Sequence, residues 1–218
     1  MYWSKDFAYV TGLIATDGCL SNDGRHIDFT SKDYEQIMNV KNILNLNNKV
    51  GQKYRGYDHN KFYYRIQFGN IKLYNFFLTI GLTPNKSKTI GALDIPNAYF
   101  GDYLRGNFDG DGYSYSYWDK RWKSSFLFYI GFCSASKTYL DWINKQIKYL
   151  YKIEGHIKTA GKSAYQLVYA KNNSLVLVDK MYHPKSAVCL QRKKFKIDKS
   201  LGIIYGQAGM LKLVNRHA

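Results

Sequence analysis

Hydrophobic and polar positions along the 218-residue chain follow two periods, and each period predicts one kind of element. An apolar residue every three or four positions, as in 73–80, is typical of a helix with one buried face. Strict alternation, as in 61–68, is typical of a strand in a sheet with one covered face. Polar groups such as Asn-Asp-Gly at 22–24 predict hairpin turns. These signals occur in the order helix, strand, strand, helix, strand, strand, helix.

The same order of elements returns about a hundred positions later, which predicts an internal duplication. Residues 64–68 (YRIQF) align with 165–169 (YQLVY), and Asn97 is expected to cap the first helix of the second copy. We therefore expect an α+β fold of two pseudo-symmetric αββαββα halves with two antiparallel four-stranded sheets. The predicted boundaries are 1–94 for the first half, 95–194 for the second half and 195–218 for a C-terminal extension.

Two segments that precede the first strand of each half share one pattern of glycine and aspartate. They are Thr11–Leu20 (TGLIATDGCL) and Leu104–Tyr113 (LRGNFDGDGY). Gly12 matches Gly106, and Asp17 matches Asp111 94 positions later. Small residues at these positions allow two helix backbones to approach closely. Helices packed side by side in this way would end together, so we expect the two aspartates to lie next to each other.

The net charge of the chain limits the classes of partner that it is expected to bind. Lys and Arg number 32 against 16 Asp and Glu, a formal net charge of +16. Such an excess repels itself unless an anionic partner compensates it, and nucleic acid is the usual partner, with a membrane surface as the less usual one. The 21 tyrosines are often adjacent to basic residues. That interleaving suits both strands and a surface that neutralises phosphates.

The cysteines and the apolar runs indicate a compartment. Cys19, Cys133 and Cys189 are widely spaced and odd in number, so a disulfide framework or a zinc site is not expected. The N-terminus lacks the pattern of a secretory signal, and no apolar run approaches the length of a membrane span. We expect a soluble intracellular protein without a membrane partner.

Paired carboxylates in a basic chain favour a particular chemistry. Two adjacent carboxylates cannot both ionise cheaply without a cation, and hard oxygen ligands favour Mg²⁺ or a similar divalent ion. A single Asp-Gly is more often a plain turn, and the Asp-Gly-Asp-Gly at 109–112 does not continue as a calcium loop, because Tyr113 and Ser114 occupy positions that need a ligand and a glycine. Because the motif occurs twice, in equivalent places of two repeated halves, the sequence favours a metal-dependent nuclease.

With these residues in view, the chain resembles the LAGLIDADG homing endonucleases in their monomeric form, with both motifs in one polypeptide. The resemblance covers about Phe7 to Lys194. Thr11 and Arg105 depart from the motif, and we expect them to pack or face outward without affecting activity. The family implies a saddle whose two sheets straddle the DNA major groove. It also implies intron-encoded site-specific cleavage of both strands of a long, asymmetric target, which makes the protein a metal-dependent phosphodiesterase.

The resemblance also implies residue roles. Asp17 and Asp111 would be catalytic and would bind the metal with the backbone carbonyls of Thr16 and Gly110. The metal would be Mg²⁺ or Mn²⁺, with Ca²⁺ as a non-catalytic substitute. Basic residues near the scissile phosphates match Lys86 and Lys185 in the repeat alignment.

Polar side chains on the strand faces are the expected contacts to double-stranded DNA, because Arg and Gln read guanine and adenine edges. They are Arg25, Lys53, Arg55, Lys61, Tyr63, Arg65, Gln67, Lys158, Lys162 and Gln166.

Two other functions fit the same fold. An intron RNA-splicing maturase would use the basic surface, with intron RNA as its partner, and would not need both aspartates. A catalytically silent DNA-binding protein would keep the surface alone. Retention of both aspartates favours the nuclease.

Overall fold

The computed structural model describes residues 2–55, 58–161, 163–183 and 188–214; the side chains of residues 55, 58–61 and 207–214 lie outside that description. The first half consists of α1 (Lys5–Thr16), β1 (Gly18–Leu20), β2 (His26–Ser31), α2 (Tyr34–Ile43), β3 (Gly51–Arg55), β4 (Asp58–Gly69) and α3 (Ile71–Thr79). The second half consists of α4 (Phe100–Asp111), β5 (Gly112–Trp118), β6 (Phe126–Ser134), α5 (Lys137–Tyr151), β7 (His156–Ala160), β8 (Ala164–Tyr169) and α6 (Lys171–Met181). A last helix, α7, spans Gln191–Val214.

Each half builds one antiparallel sheet of four strands. The strand orders are β1-β2-β4-β3 and β5-β6-β8-β7, so the two sheets repeat one topology. This confirms the predicted α+β fold of two αββαββα halves. The first hairpin of the second half is longer than that of the first half, since β5 and β6 each exceed β1 and β2 in length.

Helix starts follow the capping rules that the sequence indicates. Ser4 accepts a hydrogen bond from the Phe7 amide at 3.1 Å, and Ser136 accepts one from the Tyr139 amide. The prediction for Asn97 was wrong: residues 97–99 form a single 3₁₀ turn, and α4 begins only at Phe100. Pro96, with its φ restricted by the ring, precedes this turn, and Tyr99 rather than Asn97 occupies the N-cap position of α4.

The core lies between the helices and one face of each sheet. Along β4, Ile66 and Phe68 are buried, whereas Gln67 between them is exposed. Along β6, Phe128, Ile130 and Phe132 are fully buried. The other face of each sheet is not covered by a described helix, and this open face is the one on which the polar positions of the strands lie.

The helix α7 crosses the predicted boundary at 194/195, so the division into 1–94, 95–194 and 195–218 stays a proposal. Its Ser200 hydroxyl lies 3.0 Å from that of Ser116 on β5, and Ile197 is buried in the core. The C-terminal extension is therefore partly docked on the second half. None of the helices in the described ranges combines the length and apolarity needed to cross a bilayer.

Candidate active site

The motif helices α1 and α4 pack against each other at their glycines. A Cβ atom on Gly106 would lie 1.9 Å from the Tyr9 carbonyl oxygen, and one on Gly12 would lie 2.2 Å from the Tyr103 carbonyl oxygen. Real side chains do not tolerate such distances, so only glycine allows the two backbones to touch here. This is the close packing that the repeated glycines predict.

The same packing brings the ends of the two helices together. A Cβ on Gly110 would lie 2.0 Å from the Thr16 hydroxyl oxygen and 3.3 Å from an Asp17 carboxylate oxygen. Asp17 follows α1 directly and Asp111 is the last residue of α4. Both border one open cleft, together with Asp33, Tyr63 and other residues. The prediction that the motifs converge at a shared helical seam agrees with this geometry.

Burial and mutual repulsion disturb the ionisation of these carboxyl groups. The pKa of Asp17 is raised to about 7, first because its carboxyl is poorly solvated and second because the Asp111 carboxylate is near. The pKa of Asp111 is also raised by loss of solvation. Lys193 and Lys86 oppose both shifts through their positive charge. The two acids thus share one electrostatic environment, in which added positive charge stabilises the ionised forms.

One lysine caps the end of each motif segment. The Lys86 ammonium donates to the Gly18 carbonyl, and the Lys193 ammonium donates to the matching Gly112 carbonyl at 2.7 Å. Lys193 also donates to the carbonyls of Phe108 and Gly110, at 2.7 and 2.8 Å. Burial lowers the pKa of both ammonium groups, that of Lys193 to about 8. Each half therefore places one cation at the C-terminal end of its motif helix, where the helix dipole favours it.

Lys193 is a residue that sequence reasoning missed. The repeat alignment matched Lys86 with Lys185, which lies outside the described residues. By its contacts, Lys193 is the structural counterpart of Lys86. The signal available in the sequence was the basic run at 192–194, which follows the last predicted helix after an intervening segment. Its position near the seam depends on how the chain turns back from α6.

A buried network joins the seam to the segment before α7. Asp109, 1% exposed, accepts hydrogen bonds from the Tyr9 hydroxyl and the Leu190 amide. Arg105, also 1% exposed, pairs with Asp102 at 2.8 Å and donates to the Val188 and Met181 carbonyls. The prediction that Arg105 and Thr11 pack or face outward holds only for packing, since Thr11 is fully buried and Arg105 is a buried charge.

The residues at the seam offer oxygen ligands to the predicted metal ion. Asp17 and Asp111 supply hard carboxylate oxygens, which suit Mg²⁺ or Mn²⁺. Within the described ranges no cluster of three or more His, Cys, Asp or Glu side chains could hold a metal ion. A site would thus rest on the two carboxylates, backbone carbonyls and water. The Gly110 carbonyl, a predicted metal ligand, accepts a hydrogen bond from the Lys193 ammonium, so a metal ion there would share this oxygen with a second positive charge.

Comparison with known proteins identifies the architecture. Residues 4–81 match the family model described as a LAGLIDADG-like domain. The I-LtrWI LAGLIDADG homing endonuclease, solved bound to target DNA, superposes with a TM-score of 0.60 at 11% identity, covering 97% of this chain and 96% of that one. The chain has the fold of a double-motif LAGLIDADG protein. No curated protein matches the sequence.

Other proteins with the LAGLIDADG fold are similar to a comparable degree. I-DmoI in complex with DNA and Mn gives a TM-score of 0.52 at 15% identity, over 84% of this chain and 98% of that one. Full-length DUF199/WhiA from Thermatoga maritima gives 0.56 at 17% identity, over 99% of this chain and 70% of that one. At these identities the similarity establishes the fold alone. The name DUF199/WhiA does not describe an endonuclease.

The open face of the first LAGLIDADG sheet is polar. Arg65 donates through Nε to Asp28 at 2.5 Å, and Thr30 donates to the same carboxylate at 3.2 Å. This pairing raises the pKa of Arg65 and fixes the direction of its guanidinium. Tyr63 lies under the Lys32 ammonium, 5.6 Å from the ring centre, and Gln67 is exposed. Tyr63, Arg65 and Gln67, the predicted DNA contacts on β4 whose side chains the structure describes, therefore share one surface.

The remaining predicted DNA contacts divide by position. Arg25 is exposed in the turn before β2, and Lys53 is exposed on β3 opposite Tyr63. Lys158 on β7 is exposed opposite Gln166 on β8, which accepts a hydrogen bond from Tyr113. The side chains of Arg55 and Lys61 and the whole of Lys162 lie outside the described residues.

Proposed function

We propose that the chain is a site-specific endonuclease that cuts both strands of a long, asymmetric DNA target with divalent metal ions. The observation that carries this proposal is the meeting of Asp17 and Asp111 at the adjacent ends of two motif helices, in a chain of net charge +16. The DNA-bound state of I-LtrWI, which has the same fold, supports it.

The carboxylates are the proposed metal ligands. Asp17 and Asp111 would hold Mg²⁺ or Mn²⁺ with water and the Thr16 carbonyl, and Ca²⁺ would bind without supporting cleavage; the Gly110 carbonyl is a proposed ligand only if Lys193 withdraws from it. Bound there, the ion supplies Lewis-acid chemistry that activates water and stabilises the leaving oxygen. I-DmoI in complex with DNA and Mn is consistent with this choice of ion.

The lysines complete the proposed charge balance. The Lys86 and Lys193 ammonium groups lie at the two helix ends beside the carboxylates, and each would stabilise negative charge that develops on a scissile phosphate. We also propose that Lys185 lies near a scissile phosphate, as the repeat alignment predicts. Because the Lys193 ammonium already donates hydrogen bonds to three carbonyl oxygens, an approaching phosphate would have to draw it part of the way out of the seam.

Differences between the two open faces support an asymmetric target. Arg65 and Gln67 on β4 correspond to Gln166 and Val168 on β8, so the two halves would read different base pairs. One chain carries both motifs, and we therefore propose that it acts as a monomer. Its resemblance to the LAGLIDADG homing endonucleases is the ground on which we also propose that it acts inside the cell and is encoded within an intron. Intron RNA is a second proposed partner, with no contact in the described residues that favours it over DNA.

Cleavage of a randomised target library in Mg²⁺ tests the proposal, with Ca²⁺ as the comparison. The wild type should linearise a subset of plasmids, and Asp17→Asn or Asp111→Asn should bind the same subset without linearising it. Asp179→Asn, which alters an exposed carboxylate, is the matched control and should cut normally. Linearisation by Asp17→Asn at the wild-type rate would rule out a shared metal site.

A second candidate function is a catalytically silent DNA-binding protein. The contact of Lys193 with the Gly110 carbonyl favours it, because an ammonium group there competes with a metal ion for the same oxygen. The occurrence of the fold in DUF199/WhiA is compatible with this alternative. Selective binding of library members without cleavage in Mg²⁺ or Mn²⁺ would decide for it.

A further inference from the structure

The Lys193 ammonium lies in a cage of backbone oxygens at the end of α4. It donates to the carbonyls of Phe108, Gly110 and Gly112 at 2.7, 2.8 and 2.7 Å. An ammonium group has three N–H donors, so these bonds use all of them. The Phe108 ring adds a further contact, with its centre 5.4 Å from the ammonium nitrogen. The cage thus satisfies the whole ammonium group, between the two chain neighbours of Asp111.

The chain directly before Lys193 is anchored to both halves. The Leu190 amide donates to the buried Asp109 carboxylate of the second half at 2.7 Å. The adjacent Arg192 guanidinium makes two hydrogen bonds of 2.7 Å to Asp33 of the first half. These contacts restrain the backbone from which the Lys193 side chain extends. The ammonium group in the cage is therefore a built feature of the seam.

The described part of the first half lacks an equivalent cage. Repeat matching pairs Thr16 with Gly110, each directly before a motif aspartate. Lys86 donates to the Gly18 carbonyl, and within the described ranges no ammonium group donates to the Thr16 carbonyl. The carbonyl before the second aspartate, by contrast, is bound to Lys193. The two motif ends are thus unequal as ligands for a metal ion.

Size and charge both oppose a divalent ion in the cage. Oxygen ligands lie about 2.0–2.1 Å from Mg²⁺, whereas the cage oxygens lie 2.7–2.8 Å from the ammonium nitrogen. When ionised, the carboxylates of Asp17 and Asp111 are balanced by the ammonium groups of Lys86 and Lys193. A first divalent ion adds positive charge to this balance, and a second would be repelled by the first ion and by Lys193 at close range.

We propose that the Lys193 ammonium takes the place of a divalent ion in the second half, so that the two motif aspartates bind a single Mg²⁺ or Mn²⁺ ion on the Thr16 side of the seam. This inference rests on the proposed metal-dependent function and deepens it. Lys193 is then a positioning residue, because it fixes both the number of ions and the motif end at which the ion lies.

Mn²⁺ binding to the full chain without DNA tests the inference. Electron paramagnetic resonance measures the free ion, because the hexaaqua ion gives a strong signal that binding to protein weakens. The double variant Asp17→Asn with Asp111→Asn is titrated in parallel, and its bound Mn²⁺ is subtracted as binding elsewhere on the chain. We expect one ion on the wild type and two on Lys193→Met, which empties the cage.

Lys86→Met is the matched control. It removes an equal charge that acts on the same two carboxyl groups, but it removes no bond to the carbonyl before Asp111. This variant should bind one ion, more tightly than the wild type does. A second ion on both variants would show that charge alone limits the number of ions, and it would overturn the assignment to the cage.

Anomalous scattering from wild-type crystals containing Mn²⁺ keeps the inference testable if Lys193→Met does not fold. One peak should lie within coordination distance of the Thr16 carbonyl, and none should lie within that distance of the Gly110 carbonyl. A peak that contacts the Gly110 carbonyl, or two ions on the wild type, would overturn the inference. The proposed function would stand in either case if the chain still cuts members of the target library.

Failure of the proposed function gives a different result. If neither the wild type nor Lys193→Met binds more Mn²⁺ than the double variant, and no library member is cut, the metal-dependent nuclease fails and the inference fails with it. If Lys193→Met alone binds an ion, the wild-type ammonium excludes metal from both aspartates. The single-ion inference is then wrong, and the catalytically silent alternative is favoured.

Discussion

At the scale of single residues, two acids and two lysines meet at the seam between α1 and α4, where Lys86 is buried, Asp17 and Lys193 are half-buried and Asp111 is exposed. The neighbours of Asp17 act in opposite directions: Asp111 raises its pKa, and Lys193 and Lys86 lower it. The net result is a carboxyl with a pKa of about 7, whereas an exposed aspartate titrates near 4. The seam thus carries an ionisable group whose charge changes in the physiological range.

This shift predicts how stability depends on pH. Between about pH 4 and 7 the folded chain retains a proton on Asp17 that the unfolded chain has lost, so stability falls as pH rises through that window. Asp17→Asn removes the effect. In EDTA the variant should be more stable than the wild type at pH 8 by about 1–2 kcal/mol, allowing for solvent screening, with the difference vanishing near pH 4.

Thermal unfolding at several pH values measures that difference. Asp179→Asn, an exposed site, is the control and should follow the wild type. A stability difference between Asp17→Asn and wild type that stays constant from pH 4 to pH 8 would contradict the assignment of a raised pKa to Asp17.

Lys193 provides a second prediction at this scale. Lys193→Met removes three charge-assisted hydrogen bonds to carbonyls at the end of α4. Loss of such bonds should reduce the free energy of unfolding by about 1.5–3 kcal/mol. Urea unfolding checks this, and Lys199→Met, an exposed position on the same helix, should change it by less than about 0.5 kcal/mol. Equal effects of the two substitutions on the free energy of unfolding would show that Lys193 does not make these hydrogen bonds at the seam.

At the scale of elements, the crossing of α1 and α4 organises the molecule. These helices make backbone contact because Gly12 and Gly106 lack side chains, and the crossing sets the distance between their ends. The hairpins that begin at Gly18 and Gly112 leave from those ends. The positions of both sheets relative to the acids therefore depend on two glycines.

A substitution at the crossing should be costly. In Gly106→Ala the new Cβ would meet the Tyr9 carbonyl at 1.9 Å, and neither helix backbone can yield without separating the pair. We expect a loss of about 3 kcal/mol or more in the free energy of unfolding. Gly202→Ala is the matched control, because a Cβ there meets nothing within 4 Å, and it should stabilise α7 by up to about 1 kcal/mol. Chemical denaturation distinguishes the two, and a Gly106→Ala protein as stable as wild type would show that the helices do not touch there.

Elements made by local pattern could be predicted from the sequence, and elements fixed by distant contacts could not. The alternation in β4 and the periodicity of α3 identify strands and helices because burial of one face leaves a mark every two or every three to four residues. The glycines and aspartates of the motif predicted the seam because they occur twice. Lys193 and α7 escaped prediction because their roles depend on where the chain returns after α6, which no local period records.

At the scale of the whole molecule, the segment before and at the start of α7 ties the two halves together. Arg192 forms two hydrogen bonds of 2.7 Å to Asp33 at the start of α2, and the Gln191 amide donates to Glu35. Asn39 on α2 donates to the Cys189 carbonyl at 3.3 Å. These contacts connect the first half to a helix that docks on the second half, so they brace the cleft that both acids border.

The brace predicts a measurable coupling. A double-mutant cycle with Asp33→Asn and Arg192→Gln should give an interaction free energy of about 1 kcal/mol, because the pair is bidentate and partly shielded. The coupling should shrink with added salt. The exposed pair Asp179–Lys180 should give a value close to zero in the same assay. If both pairs couple equally, Arg192 does not brace the halves.

The high net charge of the chain predicts that its affinity for DNA depends strongly on salt concentration. If a chain of charge +16 binds duplex DNA through six or more phosphates, its affinity should fall about 10³-fold or more between 50 and 200 mM salt. Titration of a selected duplex at several salt concentrations measures the slope. Affinity that does not change with salt would contradict a basic DNA-binding surface.

The network around Leu190 has a consequence for synthesis of the protein. Asp109 and Arg105 lie in the middle of the chain, yet their partners at 188–190 follow some eighty positions later. While the polypeptide is still growing on the ribosome, both charged groups lack these partners, and a buried charge without a partner is strongly disfavoured. The two motif helices should therefore lock together only after residues 188–190 have been synthesised, so the acid pair assembles later than the motif helices themselves are made.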